Sequence, residues 1–182
     1  SYPSDLKLSN LYKTKEWTRM ISLNDLGFKK SSISISSLDV KQSIIKEYDQ
    51  NRDFPSLYGT SRLGIHFRFG TISIREKALK ASFLNQTYLS ELIWRDFYAM
   101  ILSHFPHVVN GAFRPEYDHI QWLNNESDFG LWCVGKTGYP IVDAGMRELY
   151  KTGFMHNRVR MITASFLTKH LLIDWRWGEA WF

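Results

Sequence analysis

One face of a predicted helix carries a carboxylate, an indole, a guanidinium and a phenol. Glu91, Trp94, Arg95 and Tyr98 occupy positions i, i+3, i+4 and i+7, which lie on the same side of a helix. A carboxylate beside an indole can hold a heterocyclic ring, by hydrogen bonding and by stacking respectively. The spacing alone equally allows a solvated Glu91–Arg95 ion pair over a packed tryptophan. Both interpretations stay open at this point.

A second predicted helix carries an amide, guanidiniums and a thioether close together on its surface. Asn157, Arg160, Met161 and Ala164 share one face, and Arg158 lies beside them. Such groups suit a pocket for a large ligand with polar and aromatic parts. An ordinary basic helix surface is the alternative.

A short polar run precedes another helical stretch. Thr60, Ser61, Arg62, Leu63 and Gly64 offer hydroxyls, backbone N–H groups and a guanidinium at a helix N-terminus, which together can hold a phosphate. The two hydroxyl residues are also common helix caps, so capping alone would explain them.

Residues 130–137 match the phosphate-binding pattern G-x-x-x-x-G-K-[ST], but the surroundings are wrong for it. That pattern needs a buried strand before it and a helix directly after it. Here polar residues 124–128 precede it, and Gly138 and Pro140 interrupt any immediate helix. An NTPase is therefore only a remote alternative.

Composition limits the remaining classes of function. The 182 residues are 44% hydrophobic, enough for a folded core, and the net charge of +5 permits a polyanionic partner. The single cysteine excludes an intramolecular disulfide framework, and the six histidines lack metal-ligand spacing, so no metal site is expected. No run is long enough to span a membrane. A reducing, cytoplasmic location fits best.

The periodicity of the chain predicts an all-α fold. Polar residues 1–45 are expected to form a linker or arm, and only residues 31–40 alternate as a strand would. Proline and glycine fix several helix ends, as at Pro106 and Gly153. Helices are predicted over residues 39–48, from Ser73 onward, and over 88–105, 140–151 and 155–172. The sequence does not begin with methionine, and its last residues, 175–182, are apolar. Both features predict that the chain is a fragment.

Six stretches together resemble one family, the class I cyclobutane pyrimidine dimer DNA photolyases of the photolyase–cryptochrome family. They are RDFP at 52–55, GTSRL at 59–63, ELIWRDFY at 91–98, GKTGYPIVD at 135–143, MHNRVRMITASF at 155–166 and LLIDW at 171–175. The resemblance implies that residues 1–45 are an interdomain linker. Residues 46–182 would be the N-terminal two-thirds of a helical FAD-binding domain, and the family's α/β antenna domain would be absent.

The resemblance also implies roles for individual residues. Glu91 would hydrogen-bond the dimer and stabilise its radical anion, while Trp122 and Trp175 would carry electrons. The FAD contacts would be Tyr48, Thr60, Ser61, Arg62, Leu63, Gly64, Tyr88, Arg95, Asn157 and Arg160. The DNA and lesion contacts would be Arg52, Glu91, Trp94, Tyr98, Asn157, Arg158 and Met161.

The implied activity is light-dependent DNA repair. Blue light would excite reduced FAD, an electron would pass to a flipped-out dimer, and the ring would split before the electron returned. Trp94, Asn157 and Met161 favour dimer repair over the alternative, a cryptochrome-type photoreceptor. A single-strand binder that uses aromatic side chains as stacking platforms is a further alternative. As a fragment, the chain is expected to bind FAD weakly or not at all, to be inactive and to self-associate.

Overall fold

The computed structural model describes residues 21–182, which fall into two units. The described part of the first unit, residues 21–35, contains a turn in which the amide and hydroxyl of Ser22 donate to Asp25 Oδ2 at 2.9 and 2.7 Å. The second unit, Ser36–Phe182, contains the helices described below.

The second unit is built from helices joined by short loops. Two 3₁₀ turns, Pro106–Val109 and Pro115–His119, follow the longest helix. The α-helices are α1 Gln42–Lys46, α2 Tyr48–Asn51, α3 Gly64–Phe69, α4 Ile74–Leu84, α5 Gln86–His104, α6 Glu126–Cys133, α7 Pro140–Thr152, α8 Asn157–Lys169 and α9 Trp175–Trp181. No strand occurs between residues 21 and 182, so the all-α prediction is confirmed and the alternation at 31–40 does not form a strand.

Local hydrogen bonds explain where the main helices begin. The Ser73 hydroxyl accepts from the Glu76 amide at the start of α4, and Asn85 Oδ1 accepts from the Tyr88 amide at the start of α5. His156 caps α8 through its Nδ1, which accepts from the Arg158 amide at 3.2 Å. Because a capping side chain bonds to backbone groups within four residues of itself, the sequence alone can locate these helix starts to within a few residues.

The larger core lies among α6, α7 and α8. Its centre is Trp132, which is fully buried and donates from Nε1 to the Thr163 carbonyl at 3.1 Å. Helices α7 and α8 approach closely at Gly145, where any added Cβ would collide with Val159 Cγ1. The core therefore fixes α8, the helix that carries Asn157 and its neighbours, against α7. Its members are Trp132, Cys133, Val142, Met146, Met155, Val159, Phe166, Leu167 and Ile173.

A smaller core fixes α5. Ala81 of α4 packs against Tyr88 and Leu92 of α5, and Ile45 and Tyr48 lie against this cluster. Helices α1 and α2 are thereby held beside the first half of α5. Since Glu91 lies between Tyr88 and Leu92, this packing positions its carboxylate near the end of α2.

A buried histidine secures the segment before α1. His66 is 5% exposed, and its Nε2 donates to the Ser36 carbonyl at 2.8 Å while its Nδ1 lies 2.9 Å from Thr71 Oγ1. Ser36 in turn donates from its hydroxyl to the Arg62 carbonyl at 2.7 Å. This network holds the loop 59–63 in place.

Candidate functional site

Four charged side chains of alternating sign connect α5, the end of α2 and α8. Arg52 Nη1 contacts Glu91 Oε1 at 2.5 Å, and Arg52 Nε lies 3.5 Å from Asp53 Oδ1. Arg158 Nε donates to the same Asp53 oxygen at 2.7 Å. We call Glu91, Arg52, Asp53 and Arg158 the charge chain. It brings together residues that are 39 and 105 positions apart in sequence.

The charge chain is partly exposed to solvent. Its side chains are between 27% and 50% exposed, so each ion pair is accessible to water and to a ligand. The hydrogen bond from Arg158 holds the pKa of Asp53 below its ordinary value. Asp53 is therefore an anion at neutral pH and can attract both guanidiniums.

The predicted group at the start of α8 is assembled at one point. Asn157 Nδ2 lies 3.8 Å from Met161 Sδ, and Arg158 Nη1 lies 3.6 Å from the same sulfur. Met161 is 54% exposed. An amide, a guanidinium and a soft apolar atom thus meet next to the charge chain.

An exposed aromatic surface follows Glu91 along α5. Trp94 and Tyr98 stack with ring centroids 5.9 Å apart and planes inclined by 28°, and Phe97 meets Trp94 edge-on at 5.3 Å. Trp94 is 50% exposed, which is unusual for so large an apolar side chain. We call Trp94, Phe97 and Tyr98 the aromatic surface. It can stack a flat heterocycle beside the Glu91 carboxylate.

Two tyrosines lie behind Glu91. Tyr48 and Tyr88 meet edge-to-face at 5.1 Å, and the Tyr88 hydroxyl donates to Ser61 Oγ at 3.1 Å. Burial, aided by the negative charge of Glu91, raises the pKa of Tyr48 to about 12. Tyr48 is therefore a neutral phenol throughout the physiological range.

The loop before α3 is a strained polar segment that does not cap the helix. Arg62 has φ of 52°, a left-handed conformation that is uncommon outside glycine. Leu63 occupies the N-cap position of α3 without a side-chain cap bond, so Thr60 and Ser61 are not its caps. The capping alternative is therefore wrong. At Gly64 no atom lies within 4 Å of an added Cβ, which leaves open space beside the loop.

The Arg62 side chain is held without its charge being neutralised. Its guanidinium lies 4.7 Å from the ring centroid of Tyr58 and 4.1 Å from that of Phe154. Its Nε is buried and has no hydrogen-bond partner among the described residues. An unpaired buried donor is costly, and an anionic ligand would satisfy it.

Two other predicted arginines have partners within the chain. Arg95 Nη2 donates to the Phe67 carbonyl at 3.1 Å and so joins α5 to α3. Arg160 lies 4.9 Å from the Phe182 ring centroid. The Glu91–Arg95 ion pair, which spacing alone allowed, does not form because Glu91 pairs with Arg52.

Trp122 and Trp175 line one cavity of about 450 Å³. Phe113, Tyr117 and Thr168 also contribute to its wall. Trp122 Nε1 is buried without a hydrogen-bond partner in the described part of the chain. Two tryptophans that are 53 positions apart in sequence are thus brought into the same apolar environment.

The stretch that matches a phosphate-binding loop has another structure. Its first residues form the end of α6, where Trp132 and Cys133 are buried. The amide and hydroxyl of Thr137 donate to Asp143 Oδ1 at 2.8 and 2.7 Å, so a carboxylate of the chain occupies these donors. Burial opposes ionisation of Asp143, but the hydrogen bonds from Thr137 and Gly138 outweigh it and lower its pKa. The NTPase interpretation is not supported.

Within residues 21–182, none of the helices combines the length and the hydrophobicity that a membrane span requires. No group of three or more histidine, cysteine, aspartate or glutamate side chains there could hold a metal ion.

Sequence reasoning missed Asp53. It lies next to Arg52 in the RDFP stretch, and the structure places it between two guanidiniums. The only available signal was an acidic residue adjacent to a candidate DNA-binding arginine. Its partner Arg158 could not be identified because the two residues are 105 positions apart.

Residues 88–182 match the family model described as the FAD binding domain of DNA photolyase. A deoxyribodipyrimidine photo-lyase of Agrobacterium fabrum is 41% identical over all of this chain and 40% of its own length. A class III photolyase structure from Agrobacterium tumefaciens is 44% identical, with a TM-score of 0.71 over 76% of this chain and 30% of that one. A cryptochrome structure from Synechocystis sp. PCC6803 is 34% identical, with a TM-score of 0.69 over 77% of this chain and 31% of that one. The chain spans 25% to 40% of the length of the curated relatives it matches.

Proposed function

The chain belongs to the family of the FAD binding domain of DNA photolyase, and on that premise we propose that it serves light-dependent repair of cyclobutane pyrimidine dimers in DNA. The observation that carries the proposal is the charge chain beside the aromatic surface. Two carboxylates, two guanidiniums and an exposed indole lie where a flipped-out pyrimidine dimer and its flanking phosphates could both be bound.

The residues around the loop 59–63 fit FAD. The unpartnered Arg62 Nε and the hydroxyl of Ser61 offer hydrogen-bonding groups for a diphosphate, and Gly64 leaves room beside them. Bound FAD in its reduced form supplies, after absorbing blue light, the electron that splits the dimer. The proposed contacts are Tyr48, Thr60, Ser61, Arg62, Leu63, Gly64, Tyr88, Arg95, Asn157 and Arg160.

The lesion is proposed to lie against α5 and the start of α8. A dimer stacks poorly in DNA, so it costs less to flip out than an intact base. Trp94 and Tyr98 would stack on it, and Glu91 would accept a hydrogen bond from a base N–H and stabilise the dimer's radical anion. Asn157 and Met161 would contact its other side. Arg52 and Arg158 would bind the flanking phosphates.

Trp122 and Trp175 are proposed as an electron route to the flavin. Their shared cavity keeps both indoles in apolar surroundings. We also propose that residues 1–45 form an interdomain linker, that residues 46–182 form part of the flavin domain, and that the protein is cytoplasmic. Alone, this chain is proposed to bind FAD weakly and not to repair DNA.

The test uses the complete polypeptide, meaning the longest reading frame that contains this chain. It is reduced, mixed with an oligonucleotide that carries one thymine dimer, and illuminated with blue light or kept dark. We expect intact thymines to appear only in the illuminated sample. Flavin binding without any repair would contradict the proposal.

The structural similarity to a cryptochrome favours a second candidate, a blue-light photoreceptor. That function requires flavin photochemistry without dimer repair. The same experiment separates the two, because a photoreceptor would change its flavin spectrum under light and leave the dimer intact.

A further inference from the structure

Asp53 is the common partner of the two guanidiniums in the charge chain. Its Oδ1 accepts from Arg158 Nε at 2.7 Å and lies 3.5 Å from Arg52 Nε. It is half exposed and comes directly after α2. An acidic side chain at this position opposes the binding of a polyanion, so its presence needs a reason.

The reason lies in which nitrogens Asp53 occupies. It engages Nε of both arginines, while Arg52 Nη1 contacts Glu91 and Arg158 Nη1 faces Met161. Among the described residues, no hydrogen bond involves Nη2 of Arg52 or Nη2 of Arg158. One edge of each guanidinium is thus fixed, and the remaining N–H groups are free to bind phosphate.

Fixing these side chains matters because arginine loses considerable rotamer entropy when it is ordered. An arginine that is already held in place loses less of this entropy when it binds a ligand. We propose that Asp53 is a positioning residue, which holds Arg52 and Arg158 in the orientation that grips the DNA on either side of a flipped lesion. This inference rests on the proposed function and adds a residue to its site.

For substitution of Asp53 by asparagine, the positioning role and simple electrostatics predict opposite changes in the affinity for dimer DNA. Removing a negative charge from a DNA-binding surface should tighten binding to every oligonucleotide, through the general attraction of phosphates. Loss of a positioning contact should instead weaken the binding of dimer DNA alone, because only that binding requires both arginines to be held in their observed orientations. The ratio of the two affinities therefore separates the two roles.

The experiment measures dissociation constants in the dark for Asp53→Asn in the complete polypeptide loaded with FAD. The ligands are two single-stranded oligonucleotides of one sequence, with and without a thymine dimer. We expect the preference for the dimer to fall about fivefold, the effect of one partly exposed charge-assisted hydrogen bond, while binding to the undamaged strand stays equal or tightens. Asp53→Glu should recover part of the preference.

Two controls keep the result interpretable. Asp39→Asn removes the same charge from an exposed carboxylate without a side-chain partner in the described residues, and it should leave the preference unchanged. In an Arg158→Ala background, Asp53→Asn should have a smaller effect, because one of its two partners is gone. Equal flavin content in all variants shows that folding is intact.

An unchanged preference in Asp53→Asn, or equal tightening on both strands, would overturn the positioning role. If the unsubstituted protein shows no preference for the dimer at all, the proposed function itself has failed. The two failures are therefore distinguishable in one titration series.

Discussion

At the scale of single residues, the candidate site places carboxylates on a surface that we propose binds DNA. Glu91 would repel phosphates, but Arg52 contacts it at 2.5 Å and neutralises its charge. The second carboxylate, Asp53, is neutralised in the same way by Arg158. Both negative charges are thus compensated locally, and the net charge of +5 remains compatible with a polyanionic partner such as DNA.

Trp94 provides the clearest test at this scale. Because its indole is half exposed and follows Glu91 by one turn, Trp94→Ala should remove stacking on the lesion without disturbing the core. Base stacking is worth about 1–3 kcal/mol, so the dissociation constant for dimer DNA should rise by about fivefold or more. Dark binding titrations on the complete polypeptide measure it.

The matched control is Tyr150→Ala, which removes an aromatic ring that is 87% exposed on α7. It should leave dimer binding unchanged. Equal weakening by both substitutions would show that Trp94 has no specific role at the lesion.

At the scale of elements, most helices were predictable from the sequence, but α6 and the contacts between helices were not. The ends of α5, α7 and α8 depend on Asn85, Gly153 and His156, whose effects reach only a few residues. The Glu91–Arg52 and Arg158–Asp53 pairs depend on how α2, α5 and α8 pack, which no local pattern encodes. The resemblance to a known family predicted most residues of the candidate site, which remain predictions, whereas the contacts of Asp53 were found only in the structure.

The close approach of α7 and α8 is testable with two glycines. Gly145→Ala would place a Cβ against Val159 and force the helices apart, at a cost of about 1–3 kcal/mol. Gly130→Ala in α6 meets no atom within 4 Å and gains helix propensity, about 0.5–1 kcal/mol. Thermal unfolding of the complete polypeptide should show a lower Tm for the first variant and an equal or higher Tm for the second. Equal Tm values for the two variants would mean that the α7–α8 contact is looser than described.

At the scale of the whole molecule, the described chain exposes much apolar surface. Leu79 and Phe83 lie four residues apart on α4 and are 59% and 82% exposed, and Phe69 at the end of α3 is 75% exposed. Exposed apolar groups of this size usually mark contacts with other polypeptide segments. The chain spans 25% to 40% of the length of the curated relatives it matches, so additional segments of a longer polypeptide are one source of such contacts.

This surface leads us to expect that the isolated chain self-associates. Sedimentation velocity at increasing concentration should show a rising average mass for residues 1–182 and less association for the complete polypeptide. The double substitution Leu79→Ser and Phe83→Ser should reduce the association of the isolated chain. A chain that stays monomeric at every concentration would contradict this expectation.

The most direct test of the whole account is the blue-light repair rate of Glu91→Ala in the complete polypeptide, compared with the unsubstituted protein. Glu76→Ala is the control, because Glu76 is exposed on α4 and its carboxylate pairs with Lys80 of the same helix. We expect Glu91→Ala to retain FAD and to repair a thymine-dimer oligonucleotide about tenfold more slowly or worse, with the control unchanged. Repair at the unsubstituted rate by a flavin-loaded Glu91→Ala protein would contradict the placement of the lesion at this site.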